Sequence, residues 1–213
     1  MFDLDGTLAD TLADIAASTN HVRARHGLAV LSAAVVKTFV GDGARSLLRR
    51  ALGEVLPTDA AAGERQIDAA FAMYVEHHRT QCLVQARLYP GVGAFLEGLR
   101  ERGHALGVVT NKPEQFAKPL LRHLGLGELL GVIVGGDTLP QKKPDPAPLH
   151  FALRTLGAVA GVGTMVGDSV QDLRAGKAAG LRTIACLFGY GEAAALRAHG
   201  ADRFWTSFGD DEV

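Results

Sequence analysis

The sequence lacks the features that mark several classes of protein. Only 2 of its 213 residues are cysteines, Cys82 and Cys186, and they lie far apart without metal-ligand spacing. A disulfide framework is therefore not expected, and a reducing compartment fits. The formal net charge is −1, which gives no electrostatic reason to expect nucleic-acid or membrane-surface binding. Since no apolar run approaches a membrane span and no signal-peptide pattern is visible, we expect a cytoplasmic protein without a membrane partner.

The composition is that of an ordinary globular protein, with 47% hydrophobic and 21% charged residues. A chain of 213 residues can form one large core, or a core domain and a smaller second domain. We expect a monomer or a homodimer. The acidic tail Gly209–Val213 is expected to be frayed.

From residue 105 onward, short apolar segments alternate with helical patterns. The segments that favour strands are 105–110, 132–134, 164–166 and 182–187. This alternation predicts βαβ units, and hence a Rossmann-like α/β fold whose parallel sheet carries helices on both faces.

Residues 12–86 show helical patterns and no strand-like alternation. Predicted helices begin near Thr11, Ser32, Ala44 and Ala60. We therefore expect a helical domain at 12–86, inserted after the first strand into an α/β core formed by residues 1–11 and 87–213. Only Met1 and Phe2 precede Asp3, although a central strand usually has about 5–6 residues. This shortness suggests that apolar residues preceding Met1 are missing from the sequence.

Acidic, hydroxyl, amide and lysine side chains follow the predicted strands. Asp3 and Asp5 follow the first strand, and further polar residues follow the others: Thr110, Asn111, Lys143, Asp168 and Asp172. Each could be a cap or a solvated turn, but ligands of open α/β sheets bind at the carboxyl ends of the strands, which predicts one shared site. Carboxylates from two strand ends suit Mg²⁺, and a hydroxyl, an amide and a lysine can surround a phosphoryl group.

These segments resemble the motifs of the haloacid dehalogenase superfamily, in order and over nearly the whole chain. The motif-like segments are Asp3-Leu4-Asp5-Gly6-Thr7-Leu8 with Asp10-Thr11, Thr110-Asn111, Lys143-Pro144 and Gly167-Asp168-Ser169-Val170-Gln171-Asp172. The resemblance implies that Asp3 is the nucleophile and Asp5 the acid/base. It implies a Mg²⁺ site formed by Asp3, the backbone carbonyl of Asp5, and Asp168, with Asp172 supporting the metal or orienting Lys143. Thr110 and Lys143 would bind phosphate, and residues 12–86 would be a mobile cap domain.

The resemblance also implies a reaction and a substrate. Dehalogenases and phosphonate hydrolases of the superfamily lack the second aspartate of the first motif, so Asp5 favours phosphate-ester chemistry. The region 135–180, with Phe188-Gly189-Tyr190-Gly191, is most similar to phosphoglycolate phosphatases. We therefore expect hydrolysis of a small phosphorylated metabolite, namely 2-phosphoglycolate. The expected substrate-binding residues are Gly6, Thr7 and Asn111 in the core and Gly41, Asp42, Gly43 and Arg45 in the cap.

Other interpretations stay open at this point. A sugar-phosphate phosphatase or a phosphoglucomutase-like enzyme would share the same core. A receiver-type signalling domain also uses Asp, Mg²⁺, Thr and Lys, but such a domain is much shorter and has no helical insertion. A catalytically inactive scaffold is a further alternative, although no motif residue is missing.

Overall fold

The computed structural model describes residues 1–159 and 161–210. The chain forms two compact units, one from Met1–Asp10 and the segment from Arg87 onward, the other from Thr11–Ala86. The sequence predicts a division at 12–86, so the two partitions differ by one residue at Thr11.

Helices and short strands follow one another along the chain. The strands are Ala9–Asp10 (β1), Arg87–Leu88 (β2), Gly107–Val109 (β3), Val132–Val134 (β4), Thr164–Gly167 (β5), Arg182–Cys186 (β6) and Arg203–Trp205 (β7). The α-helices are Leu12–Arg25 (α1), Ala33–Lys37 (α2), Ala44–Leu52 (α3), Ala60–Gln81 (α4), Val92–Glu101 (α5), Glu114–His123 (α6), Ala147–Thr155 (α7), Val170–Ala178 (α8) and Ala193–His199 (α9). Single 3₁₀ turns lie at Gly53–Val55 and Gly127–Leu129.

The main sheet is parallel, and the first residues of the chain lie at its centre. β3 pairs with β4, and β6 lies between β5 and β7. Phe2 bridges both halves, because it pairs in parallel with Val108 of β3 and Val166 of β5. The backbone N–H of Asp3 donates to the carbonyl of Val166 at 2.9 Å. Asp3 therefore leaves the sheet at the same edge as the carboxyl ends of β3 and β5.

The core of this unit lies between the sheet and its helices. α7 packs against β3 and β4, and α8 packs against β5 and β6. The buried cluster includes Val109, Val134, Leu149 and Met165. Burying one such side chain contributes about 1.5–3 kcal/mol, so this packing is what fixes the strand ends that carry the polar residues.

The inserted unit is helical, as its sequence predicts. α1 packs against α2, α3 and α4. Asp14 on α1 is fully buried, and its carboxylate accepts hydrogen bonds from the backbone N–H groups of Gln85 and Ala86 at 2.9–3.2 Å. Ser32 and Asp59 cap α2 and α4 through their side chains. No described helix combines the length and apolarity that crossing a membrane requires, the 22-residue α4 included.

Several elements differ from the sequence expectations. The sequence interpretation missed the antiparallel ribbon of β1 and β2, and also α9 and β7. These elements are short, and a strand of two or three residues is too brief to show a period. The tail prediction was wrong for Asp210, whose carboxylate accepts hydrogen bonds from Thr206 and Ser207. The rest of that predicted tail, residues 211–213, lies outside the described residues.

Candidate active site

Five of the predicted site residues meet at the carboxyl edge of the sheet. Asp3 follows Phe2, Thr110 follows β3, Asp168 follows β5, and Asp172 lies in the first turn of α8. Lys143 belongs to the loop between β4 and α7. All five are buried, with at most 8% of any one residue exposed.

Lys143 joins two of the carboxylates. Its Nζ donates to Asp3 Oδ1 at 2.9 Å and to Asp172 Oδ1 at 2.6 Å. Burial alone would lower the pKa of Lys143, but the charges of Asp172 and Asp3 outweigh it, so the net shift of this pKa is upward. The lysine is therefore cationic, and it offsets the repulsion between the two acids.

Asp172 has both oxygens engaged. Its Oδ2 accepts hydrogen bonds from the backbone N–H of Ser169 at 2.9 Å and from the Ser169 hydroxyl at 2.6 Å. The first of these and the hydrogen bond from the Asp172 backbone N–H to Ser169 Oγ form the capping box of α8. Its Oδ1 accepts from Lys143. Of the two roles left open by the sequence, this geometry favours orientation of Lys143.

Asp3, Asp168 and Asp172 could together hold a metal ion. Each offers a carboxylate oxygen, and these oxygens lie within 4.8 Å of one another. Burial raises the pKa of Asp3 to about 6, although Lys143 counteracts it. Burial, followed by the charges of Asp3 and Asp172, raises the pKa of Asp168 to about 7. A hard divalent cation such as Mg²⁺ prefers carboxylate oxygens as ligands, and its charge would offset the repulsion between these three groups.

Asp168 is fixed by neighbours from two loops. The Thr7 hydroxyl donates to its Oδ1 at 2.9 Å, and the backbone N–H of Tyr190 donates to its Oδ2 at 2.6 Å. The sequence predicts Thr7 as a substrate-binding residue, whereas the structure shows its hydroxyl orienting a predicted metal ligand.

Glycines allow the backbone to approach Asp168 closely. A Cβ on Gly6 would lie 2.3 Å from Asp168 Oδ2, and Gly6 also has a φ of 84°. A Cβ on Gly189 would lie 2.3 Å from Asp168 Cβ, and one on Gly191 would lie 1.9 Å from the Asp168 carbonyl oxygen. The Gly189-Tyr190-Gly191 segment therefore serves to enclose Asp168, which sequence reasoning did not anticipate.

The predicted residues Asn111 and Asp5 lie beside this cluster, and the Thr110 side chain contacts the backbone that follows it. Thr110 Oγ1 accepts a hydrogen bond from the backbone N–H of Lys112 at 3.2 Å. Asn111 Nδ2 donates to the Lys143 carbonyl at 3.0 Å. The carboxylate of Asp5 binds Lys112, whose Nζ lies 3.0 and 3.2 Å from its two oxygens. Sequence reasoning missed Lys112, although it directly follows Thr110-Asn111.

The predicted cap residues belong to the other unit and are engaged there. Asp42 forms an ion pair with Arg50. Arg45 Nη2 lies 2.5 Å from Asp68 Oδ1, and the Arg45 guanidinium lies 5.6 Å from the ring centroid of Phe71. Gly41 and Gly43 have φ values of 122° and 87° on either side of Asp42. The substrate-binding role of Gly41, Asp42, Gly43 and Arg45 stays a prediction.

The chain matches a known protein family and curated relatives. The model of a family described as haloacid dehalogenase-like hydrolase matches residues 1–186. A phosphoglycolate phosphatase of Pseudomonas syringae pv. tomato is 42% identical over 193 residues, which cover 89% of this chain and 69% of the relative.

Solved structures agree with the fold. The crystal structure of a predicted phosphoglycolate phosphatase from Haemophilus somnus has a TM-score of 0.86 and 32% identity, covering 98% of this chain and 93% of that one. The structure of CbbY from Rhodobacter sphaeroides in complex with phosphate has a TM-score of 0.79 and 27% identity, with coverages of 98% and 93%.

Proposed function

The chain belongs to the haloacid dehalogenase-like hydrolase family, and we propose that, as a phosphatase of this family, it hydrolyses 2-phosphoglycolate through a phosphorylated Asp3. One observation carries the proposal. Asp3 lies 2.9 Å from the Lys143 ammonium, and its carboxylate shares a 4.8 Å cluster with Asp168 and Asp172. Family membership also sets the receiver-type alternative aside.

Phosphatases of this family generally use Mg²⁺, and the donors here fit it. In our proposal Asp3, the backbone carbonyl of Asp5, and Asp168 would hold the ion, and Asp172 would support them through Lys143. When bound, the ion would offset the negative charge of the phosphoryl oxygens and of Asp3.

The side chains then divide the reaction between them. Asp3 attacks phosphorus and forms an acyl phosphate, while Asp5 gives its proton to the leaving alkoxide. In the second step Asp5 removes a proton from water, whose oxygen attacks phosphorus and releases inorganic phosphate and the Asp3 carboxylate. Lys143 and Thr110 bind the phosphoryl oxygens in both steps, and Asn111 binds the substrate.

The finer assignments belong to the same proposal. The name of the 42% identical relative supports 2-phosphoglycolate as substrate. We propose that Thr11–Ala86 is the cap domain and that Arg45 pairs with the carboxylate of that substrate. We place the protein in the cytoplasm, which its reduced, buried Cys82 and Cys186 support. It acts there as a monomer or a homodimer.

Phosphate release from a panel of esters tests the proposal directly. With Mg²⁺, we expect kcat/KM for 2-phosphoglycolate to exceed that for hexose phosphates, nucleotides and pyrophosphate by at least about tenfold, since a matched carboxylate contact is worth about 1.5–3 kcal/mol. EDTA should abolish release. A preference for hexose phosphates would instead identify a sugar-phosphate phosphatase. Sugar-dependent phosphate exchange with slow hydrolysis would identify a mutase, and no release with any ester would contradict phosphatase function.

Mg²⁺ affinity should fall as the pH is lowered. In the metal-free protein Asp168 takes up a proton near pH 7 and Asp3 near pH 6, and Mg²⁺ must displace these protons. We expect the Mg²⁺ Kd, measured by calorimetry from pH 8 to 5.5, to rise about tenfold per unit between pH 7 and 6 and more steeply below.

The same raised pKa values predict the pH dependence of stability without metal. A carboxyl group whose folded-state pKa is above its unfolded value adds stability at low pH and loses it as the pH rises through the folded-state pKa. The metal-free protein should therefore unfold more easily at pH 8 than at pH 5, because these carboxyl groups lose their stabilising protons, and saturating Mg²⁺ should remove the difference.

For the affinity experiment, a Kd for Mg²⁺ that is constant from pH 8 to 6 would contradict the assignment of Asp3 and Asp168 as ligands.

A further inference from the structure

Lys112 is a buried cation that the proposed reaction does not use. Only 4% of its side chain is exposed, and its partner Asp5 has 12% of its side chain exposed. Its Nζ lies 3.0 Å from Asp5 Oδ1 and 3.2 Å from Oδ2, so it contacts both carboxylate oxygens. A buried lysine of this kind costs several kcal/mol in desolvation unless a partner compensates it.

The backbone of Lys112 is fixed on both sides. Its N–H donates to Thr110 Oγ1 at 3.2 Å, and its carbonyl accepts from the N–H of Gly136 at 2.9 Å. Pro113 follows and begins the turn into α6. The loop after β4 packs closely against the backbone of Asn111 and Lys112, since a Cβ on Gly136 would lie 2.3 Å from the Asn111 carbonyl oxygen. The backbone atoms from which the Lys112 side chain extends are therefore held in a fixed position.

The site contains two buried lysines, and each has its own carboxylates. Lys143 binds Asp3 and Asp172, whereas Lys112 binds Asp5. In the proposed reaction Asp3 is the nucleophile and Asp5 carries the proton. Each lysine therefore pairs with a carboxylate of a different proposed role: Lys143 with the nucleophile, and Lys112 with the general acid/base.

We propose that Lys112 is a positioning residue for proton transfer: its ammonium contacts both oxygens of Asp5 and fixes the orientation of this side chain in both steps of the proposed reaction. The inference rests on the proposed function. Asp5 becomes negative when its proton passes to the leaving oxygen, and it must keep its place until it takes a proton from water. Contacts of 3.0 Å to one oxygen and 3.2 Å to the other restrain the rotation of this side chain throughout.

A double-mutant cycle tests the proposal. We expect Lys112→Met to lower kcat for 2-phosphoglycolate about 100-fold with little change in KM, because a misplaced general acid/base loses most of its effect. In an Asp5→Asn background, Lys112→Met should cause no further loss. Lys112→Arg should restore much of kcat. Lys118→Met is the matched control, since Lys118 pairs with Glu114 on the exposed face of α6 and should retain wild-type kcat.

Rapid mixing with p-nitrophenyl phosphate separates the two steps. Nitrophenolate leaves without a proton, so the first step should stay fast in Lys112→Met, while the second step still needs Asp5 as base. We expect a burst of one nitrophenolate per enzyme, followed by slow turnover. Multiplying effects of Lys112→Met and Asp5→Asn, or a raised KM at unchanged kcat, would overturn the proposal and make Lys112 a substrate contact.

Thermal unfolding without metal tests the pairing independently of activity. Lys112→Met leaves Asp5 without this cation, and we expect the Tm to fall by about 5 °C. Adding Asp5→Asn should recover a large part of that loss. Strictly additive Tm changes would contradict the pairing. A wild-type protein that hydrolyses no phosphate ester would refute the proposed function, whereas coupled Tm changes would still support the Lys112–Asp5 contact.

Discussion

Asp3→Asn should abolish phosphatase turnover, with a loss of kcat on the order of 10⁴-fold or more. The amide oxygen of asparagine is a poor nucleophile, so the acyl phosphate cannot form. The substitution keeps the size of the side chain, and Asp3 is buried beside Lys143 and the other acids. Steady-state phosphate release with saturating Mg²⁺ measures the loss.

Stability separates this loss from misfolding. Burial disfavours the charged form of Asp3, so Asp3→Asn removes one of three clustered negative charges, and the metal-free variant should unfold at a temperature no lower than wild type. Asp202→Asn is the matched control, because Asp202 accepts hydrogen bonds from Thr183 at the amino end of β6, away from the site. Asp3→Asn with more than a few per cent of wild-type turnover would refute Asp3 as the nucleophile.

Lys143→Met should produce the largest loss of stability. Lys143 is 2% exposed and binds Asp3 and Asp172, so its removal leaves both carboxylates buried without their cation. Breaking a buried ion pair in this way costs about 3–5 kcal/mol, which corresponds to a Tm lower by roughly 10 °C for a chain of this size. Differential scanning calorimetry in EDTA measures the shift.

Restoring charge balance provides the control for this prediction. Lys143→Met combined with Asp172→Asn should recover part of the Tm, since one of the two buried carboxylates that lost their cation is then neutral. Saturating Mg²⁺ should also stabilise the single variant, because the cation replaces the lost positive charge near Asp3. Lys177→Met should change the Tm by less than about 2 °C, because Lys177 lies on α8 and its ammonium donates to the exposed His199 carbonyl. An equally small effect at Lys143 would show that its ion pairs contribute little.

Most helices, and the edge of the sheet where the candidate site residues lie, could be predicted from the sequence. Both depend on patterns within short segments of the chain. α3 and α4 begin at Ala44 and Ala60, as the sequence predicts. The rule that ligands bind at the carboxyl ends of parallel strands predicts that Asp3, Lys143 and Asp168 lie close together, and the structure brings them together.

The features that could not be predicted depend on contacts between distant parts of the chain. Lys112 lies 107 positions from Asp5, and no local pattern indicates where a lysine in a loop will extend. A side chain at position 189 or 191 would collide with Asp168, so both positions require glycine. Only the folded chain shows this proximity. The β1–β2 ribbon is likewise a pairing of Ala9 with Leu88 that has no period within either strand.

The central place of Phe2 in the sheet joins segments that are far apart in the sequence. The amine of Met1 donates to the carbonyl of Thr164, 163 positions later, and Phe2 pairs with Val166. Met1 and Phe2 therefore cannot take their places in the sheet until residues 164–166 have been made, and a contact over this separation is slow to form. The unit Thr11–Ala86 makes its own internal contacts and can fold while the rest is being made. Asp3, the proposed nucleophile, is thus made well before the strands that complete its site.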